Sequence, residues 1–403
     1  MGLYNRTDLS ECICSADDSY RVDASDHYDE NRYNILFVID DIVDNDTTRM
    51  LANLANYYCN SRAGVVFFTK HLHIAAIFDK NVKVIAETSS ISTTSLESVC
   101  RAYKINVVCI CSLKYAEICS IVTKKLNILY ISIIFDVFCE KKEQLSYDTY
   151  VNFIQSCQLI ITASEYVCDF LLSNYKFDVD RLLVLHSGVD CSIFNQENVT
   201  RGRIAAVLDS TDPDLCRKRI LFCPCDFNKI NECLKLLNAL RNVKDRYDFV
   251  CVFSGIFHNT HDSRIVLLEK VKELSLQDNV RIINSVFDRV AMYALSYAVI
   301  CVQRDGNDHD LTQREAAFME RPVLAVNVGS YVTDVVDGKT GYLVYKNSIT
   351  DISTCVEKML SLTNDEYLNM CKNALAYAKK YFNVGRFCEE FDSAISHLLS
   401  NDN

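Results

Sequence analysis

A chain of 403 residues exceeds what one ordinary hydrophobic core organises, and points to two domains of roughly 150–200 residues each. With 49% hydrophobic and 24% charged residues it has the profile of a folded globular protein. A formal net charge of −11 speaks against a protein that grips nucleic-acid backbone, so no nucleic acid is expected among its partners.

Only 10 Gly and 3 Pro are present, so any motif built on glycine loops is expected to be eroded. The 20 Cys form no CxxC pair and no secretory signal is expected in Met1–Asp40, which favours reduced, buried thiols over disulfides or zinc ligands.

In chain order, residues 1–32 are polar and acidic without periodicity and are expected to form a disordered extension. From Tyr33 to Asn195 apolar runs alternate with amphipathic ones. NILFVID reads as a strand, TTRMLANLANYYC as a helix, and AGVVFFT, HIAAIF and VKVIAE as strands. SLESVCRAYK (helix), INVVCICS (strand), AEICSIVTKK (helix) and NILYISIIF (strand) follow. YDTYVNFIQSC, QLIITAS, YVCDFLLSNY and LLVLHSG then close a first Rossmann-like domain over 33–195. The most apolar run, Leu126–Phe138, has 13 residues, short of the roughly 20 a spanning helix needs, and reads as a buried strand.

Residues 196–218, with Pro213, read as a linker. The alternation restarts at RILFCPC and continues to PVLAVN, predicting a second Rossmann-like domain over 219–378. Residues 379–403 are expected to form C-terminal helices that pack back on the first domain. Two doubly wound βα domains in tandem would set a cleft between the carboxyl ends of their sheets, where ligands bind in such α/β folds.

Three collinear blocks carry a family resemblance. The first is ITASEYVCDFLLSNYKFDVDRLLVLHSGVDCSIFN (Ile161–Asn195), a Ser after a strand, a helix and a Gly-Val-Asp-x-x-x-Phe turn. The second is DNVRIINSVFDRVAMYALSYAVICVQ (Asp278–Gln303). The third, REAAFMERPVLAVNVGSYVTDVVDGKTGYLV (Arg314–Val344), holds a Glu-Ala helix, a Pro-Val strand, a glycine turn and Asp-Gly-x-x-Gly-Tyr-Leu-Val. Over about 33–400 the chain thus resembles the GT-B glycosyltransferases of the large retaining family 4. Within that family it looks most like the dolichol-pathway α-1,3/1,6-mannosyltransferases, through NILYISIIFDVF, NVRIINSVFDRVAMYAL and MERPVLAVNVGS.

The resemblance implies a fold of two Rossmann-like domains facing across a cleft. It also implies a GDP-mannose donor, a lipid-linked oligosaccharide acceptor, and peripheral contact with the cytosolic face of the endoplasmic reticulum. No metal or other cofactor is expected, because no Asp-x-Asp stands at a strand end with other signs of metal-nucleotide binding; Asp44–Asp46 has the form but lies in an eroded loop and reads as a turn.

Such chemistry needs cations and helix N-termini facing the leaving phosphate, and a carboxylate to accept the ribose hydroxyls. By position Glu315 is implied as the ribose carboxylate, with Lys229, Gly255, Arg304, Leu311 and Thr312 at the nucleotide-sugar site. Arg289 and Arg314 are further cations that could serve, more often solvated helix charges than ligands. Asp136 is implied on the acceptor side, while Gly188 and Asp190 serve a turn.

Departures from the pattern stand beside these. Asn307 occupies the place of the family's first glutamate, next to Asp308, and Cys225 and Ile230 occupy the places of the arginine and lysine that clamp the pyrophosphate. Two alternatives follow: a GT-B chain that no longer turns over and acts as a binding or regulatory subunit, or an N-acetylglucosaminyltransferase of glycolipid-anchor synthesis.

Overall fold

The computed structural model describes residues 33–42, 46–59, 63–69, 71–72, 77–87, 91–135, 146–176, 178–227, 229–255, 261–302 and 311–401. The chain divides into two compact units, one running to Gly188 and resuming at Val384, the other spanning Val189–Asn383.

The main sheet of the first unit has strands β1 (Tyr33–Val38), β2 (Ala63–Thr69), β3 (Lys83–Ala86), β4 (Val107–Ile110), β5 (Leu129–Ile134), β6 (Leu159–Thr162) and β7 (Leu182–Val184), and the two-residue stretches Asp41–Ile42 and His71–Leu72 pair beside it. The seven strands of the main sheet are parallel, in the order β3-β2-β1-β4-β5-β6-β7, with Ile35 facing Val65 on one side and Val107 on the other. A strand that is apolar throughout needs cover on both faces. Helices α1 (Asp46–Cys59), α2 (Thr93–Ala102), α3 (Ala116–Leu126), α4 (Tyr147–Ser156) and α5 (Glu165–Asn174) supply that cover. Of the HIAAIF run expected as a strand, residues 73–76 lie outside the described residues, and Ile77–Phe78 form a turn.

One face of this sheet is closed by the end of the chain. The last helix, α14 (Val384–Asn401), buries Phe387, Cys388, Phe391 and Ile395 at helical spacing, against the core that holds Leu54 and Tyr58 of α1. Phe391 meets the Tyr58 ring edge-on at 5.8 Å, and Tyr33 donates its hydroxyl to Asp392. Burial of rings of this size is worth roughly 1.5–3 kcal/mol each, so α14 is a core element of the first unit.

The second unit has β8 (Arg219–Pro224), β9 (Phe249–Gly255), β10 (Val280–Asn284), β11 (Ala298–Cys301), β12 (Val323–Val326) and β13 (Gly341–Val344). The order is β10-β9-β8-β11-β12-β13, all parallel, with Leu221 facing Cys251 and Ala298. Its helices are α6 (Arg201–Thr211), α7 (Ile230–Arg241), α8 (His261–Glu273), α9 (Arg289–Leu295), α10 (Thr312–Phe318), α11 (Tyr331–Asp334), α12 (Ile349–Leu360) and α13 (Asn364–Tyr381).

Two boundaries correct the expectation from sequence. The segment 196–218 is structured: a 3-10 turn at Gln196–Asn198 leads into α6, whose Val207 is fully buried in the core of the second unit. Arg203 of α6 pairs with Asp288 through two bonds of 2.7 Å. A low hydrophobic content hid this helix, which docks through buried Val207, half-buried Ile204 and Leu208, and the Arg203–Asp288 pair. The second unit also begins earlier than 219, since the Val189 N–H donates to the Phe382 carbonyl at 2.8 Å and ties its first residues to its last.

The Asp-Gly-x-x-Gly turn has a plain structural cause. Gly338 takes φ +72°, and a Cβ on Gly341 would stand 1.9 Å from the Val323 carbonyl oxygen. Only glycine lets β13 lie that close to β12.

Candidate functional site

In the second sheet the strand order reverses between β8 and β11. Loops leaving the carboxyl ends on either side of such a switch point diverge, and leave the place where α/β sheets take ligands. The residues implied at the nucleotide-sugar site come from the loop after β8, the end of β9, and the segment entering α10.

After β8 the chain makes a tight turn. The Cys225 N–H donates to the Ser254 carbonyl at 2.8 Å, and the Lys229 N–H to the Asp226 carbonyl at 3.0 Å. Lys229 is the N-cap residue of α7 and half-buried, and Ile230 opens the helix. Cys225 lies in hydrogen-bonding reach of the Cys223 and Cys233 thiols, and these contacts together with burial push its own thiol well above the usual range. It is therefore a neutral group where an arginine was implied. The cysteines among the described residues are all free thiols, and no group of three or more His, Cys, Asp or Glu among them is placed to hold a metal ion.

Gly255, at the end of β9, is required by packing. A Cβ there would stand 1.9 Å from the Cys225 carbonyl oxygen and 3.3 Å from the Phe227 ring. Its first role is thus to let β9 close against the turn after β8.

Leu311 is the N-cap residue of α10 and is buried among Val189, Phe318, Ala374 and Phe382. Thr312 is buried beside it. Every residue of α10 is buried, including Gln313, Arg314 and Glu315.

Arg314 is a buried anchor. Its Nε and Nη2 donate at 2.8 and 3.0 Å to the two oxygens of Asp334 on α11, and its guanidinium carbon lies 4.8 Å from the Phe382 ring centroid. Both members of the pair are fully buried.

Glu315, expected as the ribose carboxylate, is engaged within the unit. It is 1% exposed, and its Oε2 accepts from Arg289 Nη2 and, at 2.8 Å, from the Tyr293 hydroxyl. Both donors stand on α9, four residues apart and so on one helix face. Burial, then the Glu315 charge, push the Tyr293 hydroxyl far above its ordinary range, so it remains a donor. Where a ribose contact was expected, the structure shows the carboxylate in an ion pair with Arg289.

Asp288, just before α9, caps that helix by accepting from the Ala291 N–H at 3.0 Å. Burial opposes its charge. The Arg203 guanidinium and the α9 amides outweigh that penalty and hold its carboxyl below the ordinary range.

The remaining expected residues are dispersed or undescribed. Asp190 makes a turn, its Oδ1 accepting from the Ser192 N–H at 2.8 Å and the Ser192 hydroxyl at 2.6 Å. Gly188 is buried at the end of the first unit and has no left-handed φ, so its conformation does not demand glycine. Asp136, Arg304, Asn307 and Asp308 lie outside the described residues.

The pairs Arg289–Glu315 and Arg314–Asp334 were not foreseen as pairs. The first had a signal in sequence, an arginine four residues before a tyrosine on one helix, but its partner lies 26 residues on.

Residues 219–381 match the family model described as glycosyl transferases group 1. Comparison with curated proteins by sequence gave no match. Among solved structures, a glycosyltransferase from Rickettsia africae ESF-5 is 19% identical with a TM-score of 0.82, covering 92% of this chain and 100% of that one. HepE from Anabaena, solved with UDP and glucose, is 16% identical with a TM-score of 0.72, over 91% of this chain and 100% of that one. Sucrose-phosphate synthase from Thermosynechococcus elongatus is 12% identical with a TM-score of 0.75, over 92% and 100%. At these identities the likeness speaks for the fold, two Rossmann-like units of the GT-B class.

Proposed function

We propose, from the match of residues 219–381 to the glycosyl transferases group 1 model on a chain of GT-B fold, a glycosyltransferase whose second unit takes a nucleotide-sugar donor. The observation that carries this reading is the coincidence of the family match with one compact unit, Val189–Asn383, whose sheet reverses order between β8 and β11.

The finer reading is a retaining transfer of mannose from GDP-mannose to a dolichol-linked oligosaccharide, at the cytosolic face of the endoplasmic reticulum. It rests on the likeness of NILYISIIFDVF and MERPVLAVNVGS to segments of the dolichol-pathway mannosyltransferases. The absence of a described helix long and apolar enough to cross a membrane is compatible with peripheral attachment. HepE was solved with UDP and glucose, which makes a uridine donor the competing choice.

A second reading has its own support. With neutral Cys225 at the arginine position and Glu315 committed to Arg289, a GT-B chain that binds a partner or ligand without turnover fits the same residues.

Isothermal titration with GDP-mannose and UDP-glucose, followed by transfer of labelled sugar to a dolichol-linked acceptor, separates these readings. Binding with transfer supports the enzyme, and binding without transfer supports the second reading. No heat with either nucleotide sugar at millimolar concentration overturns the donor site.

A further inference from the structure

We infer that the groove between α3 and α4 of the first unit is a carbohydrate-binding site, independent of the donor site proposed for the second unit, and that it takes a short neutral oligosaccharide through Glu117, Lys124, Asn152 and Gln155.

The two helices stand on either side of β5 in the chain and share one anchor. Tyr130 of β5 donates its hydroxyl to the carbonyl of Ala116, the first residue of α3, at 3.0 Å, and its ring meets that of Phe153 in α4 edge-on at 6.4 Å. Tyr130 is buried, so α3 and α4 are fixed on a common core side chain. Between them lies a cavity of about 460 Å³, floored by buried Ala116 and Phe153. Small-molecule sites span roughly 300–1,000 Å³, and this groove falls within that range.

Sequence spacing sets what lines the walls. Glu117, Ile121 and Lys124 lie four and then three residues apart on α3, and Asn152 and Gln155 three apart on α4, so each set forms one stripe. Both stripes border the same cavity. Seven residues separate Glu117 from Lys124, about 10 Å along the helix, which sets the two charges at opposite ends of the groove. Among the described residues none of these four polar side chains has a hydrogen-bond or ion-pair partner. The neighbouring charge on α3 is already used, with Lys125 2.7 Å from Glu97.

The chemistry of the walls selects the ligand. A carboxylate only accepts hydrogen bonds, an ammonium only donates, and each amide does both. An anion drawn to Lys124 meets Glu117, and a cation drawn to Glu117 meets Lys124. An apolar side chain laid in the groove strips water from the amides and returns nothing. A sugar ring carries hydroxyls that donate and accept around its rim, and a C–H face that suits Ile121, which is 50% exposed. All four polar groups are exposed, and a polyhydroxylated ligand replaces their hydration group for group.

The chain contains no Trp, so Ile121→Trp places a single indole fluorophore at the groove and reports on it alone. The full chain carrying this substitution is titrated with two neutral disaccharides, mannobiose and maltose. A saturable change in indole emission with at least one of them, at millimolar concentration, supports the site. Adding Asn152→Ala and Gln155→Ala in the same background is expected to weaken that binding about tenfold or more, the worth of two neutral hydrogen bonds. These positions are on the surface, so the variants are expected to fold.

Emission that neither disaccharide moves at about 100 mM overturns the inference, as does equal binding by the variant lacking both amides. Displacement of the disaccharide by inorganic phosphate overturns it in favour of an anion held at Lys124. None of these outcomes bears on the donor reading, which the titration with nucleotide sugars decides separately.

Discussion

Replacing Arg314 by methionine tests whether charge holds α10 in place. The guanidinium and the Asp334 carboxylate are both fully buried and joined by two bonds, of 2.8 and 3.0 Å. Charge-assisted hydrogen bonds contribute about 1.5–3 kcal/mol each, so two give about 3–6 kcal/mol. Breaking a buried pair by removing one partner costs about 3–5 kcal/mol, because the other charge is stranded in an apolar setting. The two routes agree on about 4 kcal/mol lost from the second unit. The assay is urea denaturation of Arg314→Met, Asp334→Leu and the double variant, read on the transition of the second unit, since a chain of two units need not unfold in one step. The double variant strands neither charge and should recover at least about 2 kcal/mol of the summed single losses. A residue of about 1 kcal/mol should persist, because the Gln313 amide loses its acceptor on Asp334. A loss below about 1 kcal/mol for Arg314→Met, or strictly additive single variants, would refute the reasoning.

Three further outcomes follow from the same structure. Gly255→Ala should cost about 2 kcal/mol or more in urea midpoint, because its Cβ would meet the Cys225 carbonyl at 1.9 Å and prise β9 from the turn after β8; an unchanged midpoint would contradict that. Phe391→Ala, in the core of the first unit, should cost about 3–5 kcal/mol by thermal or chemical melting, and a near-neutral result would show that α14 is not part of that core. Asp288→Ala should lose about 1–3 kcal/mol at pH 7, through the α9 cap and the pair with Arg203. Since the folded-state pKa of Asp288 is depressed, its contribution is present above the unfolded value near 4 and fades as pH falls through the lower folded value. The gap between variant and wild type should accordingly narrow on going from pH 7 to about pH 3, and a constant gap would count against the charge.

Much of the fold could be read from the order of residues alone. VVCI is apolar at every position and LYISII at every one but Ser132, and a strand covered on both faces satisfies such runs, so the alternation of strands and helices was visible directly. The glycines at 255 and 341 were also visible, as punctuation at strand ends. Their cause was not, because it lies in carbonyls 30 and 18 residues away. α6 escaped notice because its apolar face is short, with Val207 alone fully buried, and its ion-pair partner Asp288 lies far along the chain.

The candidate site divides the same way. Sequence by itself determined which groups are available: a carboxylate at 315, arginines at 289 and 314, and thiols and an isoleucine where cations were implied. It could not determine which way each group faces. Pairing energies depend on distance and burial, and both are products of packing between α9, α10 and α11. Tertiary structure alone turned Glu315 inward onto Arg289 and Tyr293, sealed Arg314 against Asp334, and left Arg289 as the partly exposed member of its pair.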